Sequence, residues 1–248
     1  MKKLFVAWQD PISSSWYPVG RLTFENNRYE FIYLQGAKEA REKIGFQGIW
    51  SFPDFNKVYQ STEIFAFFFN RIMRPSRPDY PLFIEWLNLS PNEAVPITVL
   101  SRSGGRKVTD NYEVFPYPEL DKKGFYHLYF FLHGLHYMPP ETNARIKKLE
   151  VGETLYLMHD SQNIFDSNAL MLRTKDFFPL GFCPRYLSND VFPLLQNHPN
   201  SLEIKVDRLN HPPASLQMRL LCHLIVKNEI FQPFSNKNYQ PIPVPILT

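Results

Sequence analysis

The amino-acid sequence predicts an α+β protein, with a small α/β domain in the N-terminal half and a mainly β domain with two short helices in the C-terminal half. Three observations support this prediction. Short runs with alternating apolar residues, such as R-Y-E-F-I-Y at residues 28–33, indicate half-buried strands. Most helix-like runs lie before residue 104. From residue 125 onwards, strands follow one another without the long helical crossovers that a parallel sheet requires.

Composition is consistent with two compact domains and excludes a strongly basic DNA clamp. The chain has 248 residues, 44% of them hydrophobic, with 22 Phe and 13 Tyr to fill cores. Lys and Arg number 27 against 24 Asp and Glu, and the two halves are each nearly balanced. Duplex binding without sequence preference needs many phosphate contacts, so any nucleic-acid site here is expected to be a local pocket.

The first half predicts three strands, four helices and a last strand. Strands at 4–8 and 17–24 flank the turn-rich D-P-I-S-S-S, and Glu25-Asn26-Asn27 turns the chain into a hairpin ending with the strand at 29–33. The run at 61–73 is apolar almost all round, so a helix there must be buried or partnered. S-P-N-E, starting at Ser90, indicates a capping box. The predicted helices are 36–46, 61–73, 80–89 and 90–100, followed by a strand at 111–116.

The short charged segment around 117–124, bounded by Pro118 and Gly124, predicts the domain boundary. The chain is therefore divided into a first domain at 1–118, a linker at 119–124, a second domain at 125–228 and an extended tail at 229–248, which ends in P-I-P-V-P-I-L-T. Within the second domain the predicted strands are 125–135, 153–159, 169–173, 181–184, 202–209 and 218–226, and the helices are 140–149 and 188–197.

Cysteine usage and hydropathy predict a reduced, cytoplasmic protein without membrane contact. Cys183 and Cys222 both lie in apolar runs typical of buried strands, which does not suggest a disulfide framework. Only five apolar residues lie between the Lys pair at 2–3 and Gln9, too few for the core of a signal peptide. No apolar run reaches the length of a transmembrane helix.

Three motifs in the second half carry most of the functional information. They are H-G-L-H-Y at 133–137, N-I-F-D-S-N-A-L at 163–170 and L-G-F-C-P-R-Y-L at 180–187. In this order, with strand-like runs between them, they resemble the HIRAN domain, a small β-barrel module. The resemblance implies a HIRAN barrel and a binding function: HIRAN domains that bind DNA grip the free 3′ end of a single strand, with aromatic faces for the bases and polar groups for the terminal sugar and phosphates.

Carried over motif by motif, the resemblance gives these candidate ligand-binding residues: His136, Tyr137, Phe165, Asp166, Asn168, Phe182 and Arg185. Tyr137, Asp166 and Arg185 keep the family's residue types. They imply base stacking, acceptance of a hydrogen bond from the 3′-hydroxyl and phosphate pairing, respectively. At three further positions this sequence differs from the family: His136 replaces an arginine, Phe165 a tyrosine and Phe182 a histidine. Each replacement makes the expected pocket less polar.

Structural interpretations of the same residues remain open. Asp166 and Asn168 could build the turn between two strands, because Asp and Asn side chains bond to nearby backbone. Phe182 could be core, and Arg185 could be a surface cation.

Neither a metal site nor a catalytic site is predicted. All seven histidines lie in the second half, but no pair has ligand spacing on a helix, and His133 and His136 would point to opposite faces of a strand. No nucleophile elbow, Walker loop or zincin helix occurs, and S-G-G-R at 103–106 is predicted as a turn. The prediction is a non-enzymatic protein without cofactor.

The first half resembles the N-terminal subdomain of HipA-type Ser/Thr toxin kinases, over about residues 4–118. The resemblance lies in V-G-R-L-T-F with R-Y-E-F-I-Y, in F-A-F-F-F-N-R-I-M, and in V-L-S-R-S-G-G-R-K-V-T-D-N-Y-E-V-F-P. The glycine motif of that family is altered here to S-R-S-G-G-R-K-V, and no segment resembling the kinase's catalytic lobe follows. In tripartite toxin-antitoxin systems a separate small protein supplies this subdomain and inhibits the kinase. The implied partners are a HipA-family kinase lacking the subdomain and a DNA-binding antitoxin subunit.

The leading hypothesis is therefore an antitoxin or modulator of such a kinase. The alternatives are a single-stranded DNA 3′-end binding protein in stress response, repair or phage defence, and an accessory nuclease or repair subunit. The residues predicted to contact a protein partner are Trp50, Phe65, Phe69, Arg71, Arg74 and Arg77. The apolar members of this set could equally be ordinary core.

Overall fold

The computed structural model describes residues 1–243, which form two compact units. Unit 1 comprises Met1–Pro81, Pro91–Tyr117 and the segment from Phe234 onwards, and unit 2 comprises Leu82–Ser90 and Pro118–Pro233. Helices and antiparallel sheets occur in both units, in line with the predicted α+β class. Within the described residues, no helix has the length and apolar character needed to cross a membrane.

Unit 1 is built on a five-stranded antiparallel sheet with strand order β4-β3-β2-β1-β5. Asn26 and Asn27 both adopt positive φ, 49° and 57°, in the tight turn between β2 and β3. Asparagine tolerates this conformation better than most residues, so the predicted hairpin forms at these two positions. The strands are β1 (Lys2–Gln9), β2 (Trp16–Glu25), β3 (Arg28–Tyr33), β4 (Tyr59–Ser61) and β5 (Tyr112–Pro116).

The helices of this part of the chain are shorter than the sequence predicts. They are α1 (Gln35–Ile44), α2 (Ala66–Phe69), α3 (Tyr80–Trp86) and α4 (Pro96–Ser103). The helix predicted at 61–73 is reduced to the four residues of α2, because its aromatic side chains pack separately on the core; Phe65, for example, has an extended backbone and packs 5.1 Å from the Phe52 ring. The helix predicted at 90–100 begins instead at Pro96, since a proline disfavours helical backbone at the residue before it, here Val95.

Both faces of the unit 1 sheet are covered. One face packs with α1, α2 and the loop after α1 around the stacked rings of Phe31 and Phe52, 4.0 Å apart. The other carries Phe5 and Phe115, whose rings lie 5.3 and 5.2 Å from that of Phe234.

The described part of the predicted tail is therefore folded rather than free. Phe234 is buried, Tyr239 packs 5.0 Å from Phe5, and Pro241 forms a β-bridge with Leu34. The reason is that the aromatic residues of this segment bury apolar area that β1 and β5 would otherwise expose. The predicted extended conformation of residues 244–248 lies outside the described residues.

Unit 2 contains a seven-stranded antiparallel sheet with strand order β10-β9-β8-β11-β12-β7-β6. The strands are β6 (Glu119–Leu120), β7 (Phe125–Phe131), β8 (Thr154–His159), β9 (Leu170–Arg173), β10 (Pro179–Phe182), β11 (Leu202–Leu209) and β12 (Leu220–Lys227). The two predicted helices are present as α5 (Pro140–Ile146) and α6 (Arg185–Asn197). The segment predicted as a linker at 119–124 includes β6, which pairs with β7 and so belongs to this sheet.

The predicted barrel is not closed by strand pairing in the described residues: the sheet is open, and one edge strand bridges to the segment after β7, the neighbour of the other edge strand. β10 lies at one end of the strand order, and Phe182 at its last position forms a β-bridge with His133, two residues beyond β7. Leu128, Leu172 and Val206 are among the side chains that fill the interior.

Residues 82–90 belong to unit 2, although the sequence assigns them to the first domain. Asn210 Nδ2 donates to the Trp86 carbonyl oxygen at 2.9 Å and to the Met218 carbonyl oxygen at 2.7 Å. Arg208 Nη2 donates to Glu85 Oε1 at 2.5 Å. The bonds to Trp86 and Glu85 join residues more than a hundred positions apart, so no local pattern could predict them.

Candidate functional site

The first and third motifs meet at the bridge between His133 and Phe182. Each backbone N–H donates to the other's carbonyl oxygen at 2.9 Å. Gly134 has φ 75°, and a Cβ there would lie 2.8 Å from Phe182 Cδ2; a Cβ at Gly181, with φ 153°, would lie 2.7 Å from the His133 carbonyl oxygen. The two motif glycines are therefore needed for the close approach of these segments.

The third motif also holds the second. Arg185 is the first residue of α6, and its Nη2 donates to the Phe165 carbonyl oxygen at 2.5 Å. Its Nε lies 3.6 Å from Asp166 Oδ2. The Cys183 N–H donates to the Leu170 carbonyl oxygen at 2.8 Å. All three motifs thus converge on one end of the sheet, around the loop that connects β8 to β9.

The loop between β8 and β9 is held in shape by hydrogen bonds from side chains to its own backbone. Asn163 Oδ1 accepts from the N–H groups of Phe165 and Asp166 at 3.1 and 3.0 Å, and Asp166 Oδ1 accepts from the Asn168 N–H at 3.0 Å. Asn168 Nδ2 in turn donates to Asn189 Oδ1 on α6 at 3.0 Å. The Asp166 side chain builds the turn, as the structural interpretation predicts, whereas the Asn168 side chain bonds to α6. The bonds made by Asn163 and Asp166 fix the backbone around Phe165.

Two aromatic rings project from this scaffold into solvent. Phe165 is 70% exposed and Tyr137 86% exposed, the latter on the 3-10 turn Leu135–Tyr137, whose first residue is buried. The exposed His136 ring packs edge-on against Tyr137 at 5.6 Å. Exposed rings on an ordered backbone are what base stacking requires. Phe182, in contrast, is partly buried against Gly134, which agrees with a packing role.

The buried thiols next to the site are unsuited to nucleophilic chemistry. Burial, and secondarily the Asp166 carboxylate, raise the pKa of the Cys183 thiol well above its usual value. Burial likewise raises the pKa of the Cys222 thiol. Both cysteines are free and buried, so they act as small apolar core residues.

Two of the seven histidines lie within hydrogen-bond distance of each other and of an aspartate. His127 Nδ1 lies 2.9 Å from His223 Nε2, and His127 Nε2 lies 3.2 Å from Asp121 Oδ2. Among residues 1–243, no group of three or more His, Cys, Asp or Glu side chains is arranged to hold a metal ion. The trio therefore fastens the start of β7 to β12.

Sequence reasoning missed a cluster outside the three motifs, formed by Tyr156, Arg173 and Phe177 on β8, on β9 and in the turn after β9. Alternation along β8 and β9 could have pointed to it, because Tyr156 and Arg173 occupy outward positions of their strands.

The residues predicted to contact a protein partner divide into two groups. Arg71 is buried, with Nη1 donating to the Gly105 carbonyl oxygen at 3.1 Å and both terminal nitrogens paired with Asp110 at 3.0 and 2.6 Å, so it stabilises unit 1 instead of meeting a partner. Phe65 packs on Phe52, and Arg77 pairs with its neighbour Asp79 at 2.8 Å. The predicted residues that remain exposed are Trp50, Phe69, Arg74 and Arg77, the last in its ion pair with Asp79.

Comparison with known proteins finds a domain match within the second unit. The HIRAN domain model matches residues 125–228. A crystal structure of a protein from Lactobacillus plantarum is 23% identical over 42% of this chain and 97% of that chain, with a TM-score of 0.34. The crystal structure of the HIRAN domain of human HLTF is 19% identical over 44% of this chain and 85% of that chain, with a TM-score of 0.32. No curated protein is significantly similar to the chain. The HIRAN match does not include residues 1–118, whose resemblance to the HipA subdomain stays a prediction.

Proposed function

We propose that the HIRAN domain at residues 125–228 binds single-stranded DNA at its 3′ end, and that the protein acts by binding rather than by catalysis. The observation that carries this proposal is the convergence of the three motifs. The bridge between His133 and Phe182 and the Arg185 hydrogen bond to Phe165 bring together a turn with an exposed tyrosine and a loop with an exposed phenylalanine.

Stacking supplies most of the affinity in this proposal. Tyr137 and Phe165 each offer a ring to one base, and a stacked base contributes about 1 to 3 kcal/mol with little sequence preference. The near balance of charges in the chain gives few phosphate contacts, so the salt dependence of binding is expected to be shallow.

Asp166 supplies the preference for a free 3′ end. Its Oδ1 is occupied by the turn, whereas Oδ2, 3.6 Å from Arg185 Nε, keeps lone pairs that can accept a hydrogen bond from a 3′-hydroxyl. A terminal phosphate would meet the same carboxylate with like charge. The site therefore favours a 3′-hydroxyl over a 3′-phosphate.

Fluorescence anisotropy with short labelled single strands tests the proposal. We expect a 3′-hydroxyl strand to bind at low salt, a 3′-phosphate strand to bind at least about tenfold more weakly, and Tyr137→Ala to lose about tenfold in affinity, the value expected for one stacked base. Trp50→Ala, which removes an equally exposed ring from unit 1, is the matched control. Equal binding of the two strands, or full affinity in Tyr137→Ala, would overturn the proposal.

The kinase-modulator function is kept as a second candidate because of one residue. Trp50 is 95% exposed on a turn that is held on both sides, since Tyr33 Oη accepts from the Ile49 N–H and donates to the Phe52 carbonyl oxygen, both at 2.7 Å. An exposed tryptophan on an ordered turn is the kind of residue that protein partners bury. Co-expression with a HipA-family kinase that lacks its N-terminal subdomain tests this candidate: relief of toxicity that Trp50→Ala abolishes would support it, and no relief would reject it.

A further inference from the structure

An arginine lies between two exposed aromatic rings on the surface of unit 2. The Arg173 guanidinium is 4.9 Å from the centre of the Tyr156 ring and 4.3 Å from that of Phe177. Tyr156 is 37% and Phe177 is 74% exposed. The cluster therefore presents a cation and two aromatic rings to solvent.

The turn between β9 and β10 holds Phe177 in an unfavourable backbone conformation. Its φ is 64°, in the left-handed region that glycine and asparagine adopt at low cost and bulky residues rarely adopt. Backbone bonds from the Thr174 N–H to the Phe178 carbonyl oxygen at 3.0 Å and from the Phe177 N–H to the Thr174 carbonyl oxygen at 3.1 Å close the turn. Core packing does not explain a phenylalanine here, because most of the ring is in solvent.

The cluster is continuous with the candidate site through the strand register. Met171 on β9 lies opposite Met158 on β8 and opposite Phe182 on β10, which also bridges to His133. One step along the same face, Arg173 lies opposite Tyr156. Residues two apart on a strand share a face, so these side chains form one outward band, in which Met158 is 40% exposed. The band follows β9, which is about 13 Å long at the usual rise per residue.

The charge of the cluster favours a polyanion. Arg173 Nη1 donates to the Thr174 carbonyl oxygen at 3.0 Å, and Arg173 takes part in none of the ion pairs found among residues 1–243. The nearby Asp176 pairs instead with Arg145 Nη2 at 3.0 Å. The remaining guanidinium N–H groups of Arg173 can therefore bind a phosphate while the neighbouring rings stack on bases, a combination typical of single-strand grooves.

We propose that this outer band of β8 and β9, with Tyr156, Arg173 and Phe177 at its far end, binds the nucleotides that lie 5′ of those held at the 3′-end site. This inference rests on the proposed function and extends it. The end site selects the terminus, and the band adds affinity for strands long enough to reach Phe177.

Comparison of a trinucleotide with an octanucleotide, both with a free 3′-hydroxyl, tests the band separately from the end site. The key variant is Phe177→Gly, since glycine adopts the φ of this turn without strain and the fold is retained. We expect the native protein to bind the octanucleotide at least about tenfold more tightly than the trinucleotide. Phe177→Gly should remove most of that difference, because a base loses its stacking partner, while the affinity for the trinucleotide stays unchanged.

Two further variants sharpen the test. Arg173→Gln should lower the affinity for the octanucleotide and reduce the slope of log K against log salt, whereas Val151→Ala, at a 69% exposed apolar residue of the same unit, should change neither. Three results would each overturn the proposed band. The native protein could bind both oligonucleotides equally tightly, Phe177→Gly could keep the native preference for the octanucleotide, or Phe177→Gly could lose the same affinity for both. In all three cases, binding of the trinucleotide would still support the 3′-end site. If the protein binds neither oligonucleotide, both proposals are rejected.

Discussion

Arg185 Nη2 donates a 2.5 Å hydrogen bond to the carbonyl oxygen of Phe165. The arginine is thereby tied to the loop that presents the phenylalanine ring, twenty residues earlier in the chain. We expect a guanidinium in this position to support the site through Phe165 rather than through a phosphate. The family resemblance alone implies phosphate pairing for this residue.

The first prediction separates these two roles of Arg185. Arg185→Ala and Arg185→Lys are both expected to lower single-strand affinity about tenfold, because neither side chain can make the paired contact to the Phe165 carbonyl and Asp166. The slope of log K against log salt should stay at the native value, measured by anisotropy at several salt concentrations. Lys227→Ala serves as the control for an exposed cation of the same unit. Recovery by lysine, or a slope lower by about one, would instead indicate a direct phosphate contact.

The second prediction concerns the close approach at Gly134. Gly134→Ala places an alanine in the left-handed region and brings its Cβ within 2.8 Å of Phe182. Gly152→Ala also places an alanine in that region, at φ 87°, but no atom lies within 4 Å of the added Cβ. We expect Gly152→Ala to lower the free energy of unfolding by about 1 to 2 kcal/mol. Gly134→Ala should lower it by about 1 to 3 kcal/mol more, as overpacking adds to the strain. Urea denaturation measures both, and equal losses would contradict the clash.

The strands of both units, except the short β4 and β6, and the three motifs were predictable because their signals are local. Alternation with a period of two identifies β3, and the residue pair Asn26-Asn27 specifies its turn. The motif glycines Gly134 and Gly181 mark backbone that must approach another segment. These features depend on a few neighbouring residues, so a single sequence contains them.

Other features depend on partners distant in sequence. The run at 61–73 is apolar at nearly every position, so its hydrophobic residues show no periodicity. The sequence therefore gives no sign that only the four residues of α2 are helical. Arg71 reads as a surface cation until Asp110, thirty-nine residues later, is seen to pair with it. Phe177 sits at a turn position where glycine would be expected. Local patterns predicted none of these.

The third prediction concerns the acid titration of Asp176, which lies next to Phe177. A hydrogen bond from the Thr174 side chain, and then the Arg145 guanidinium, lower the pKa of Asp176 from 3.8 to about 2. A lowered pKa means that the ionised form stabilises the folded state above pH 3.8, and that this contribution is lost as the pH falls through about 2. Carboxyl NMR should therefore show a midpoint near 2.

Single substitutions can separate the two largest causes that lower the pKa of Asp176. Thr174→Val should raise the pKa of Asp176 more than Arg145→Ala does, because the threonine contribution is the larger, and both midpoints should stay below 3.8. Thr109→Val, at an exposed threonine of unit 1, should leave the midpoint unchanged. A larger rise in Arg145→Ala would show that the ion pair, and not the turn, sets the titration.

The last prediction tests whether the segment from Phe234 onwards is structural. The Phe234 ring is 3% exposed and lies within 5.3 Å of the Phe5, Phe115 and Tyr239 rings. Phe234→Ala should cost about 3 to 5 kcal/mol in unit 1, the usual loss for a buried phenylalanine. Hydrogen exchange should accelerate at the amides of β1 and β5 while those of β11 and β12 keep their native rates. Phe69→Ala, at a 39% exposed ring of the same unit, should cost much less. Unchanged exchange in β1 and β5 would show that the aromatic contacts of this segment contribute little to the fold.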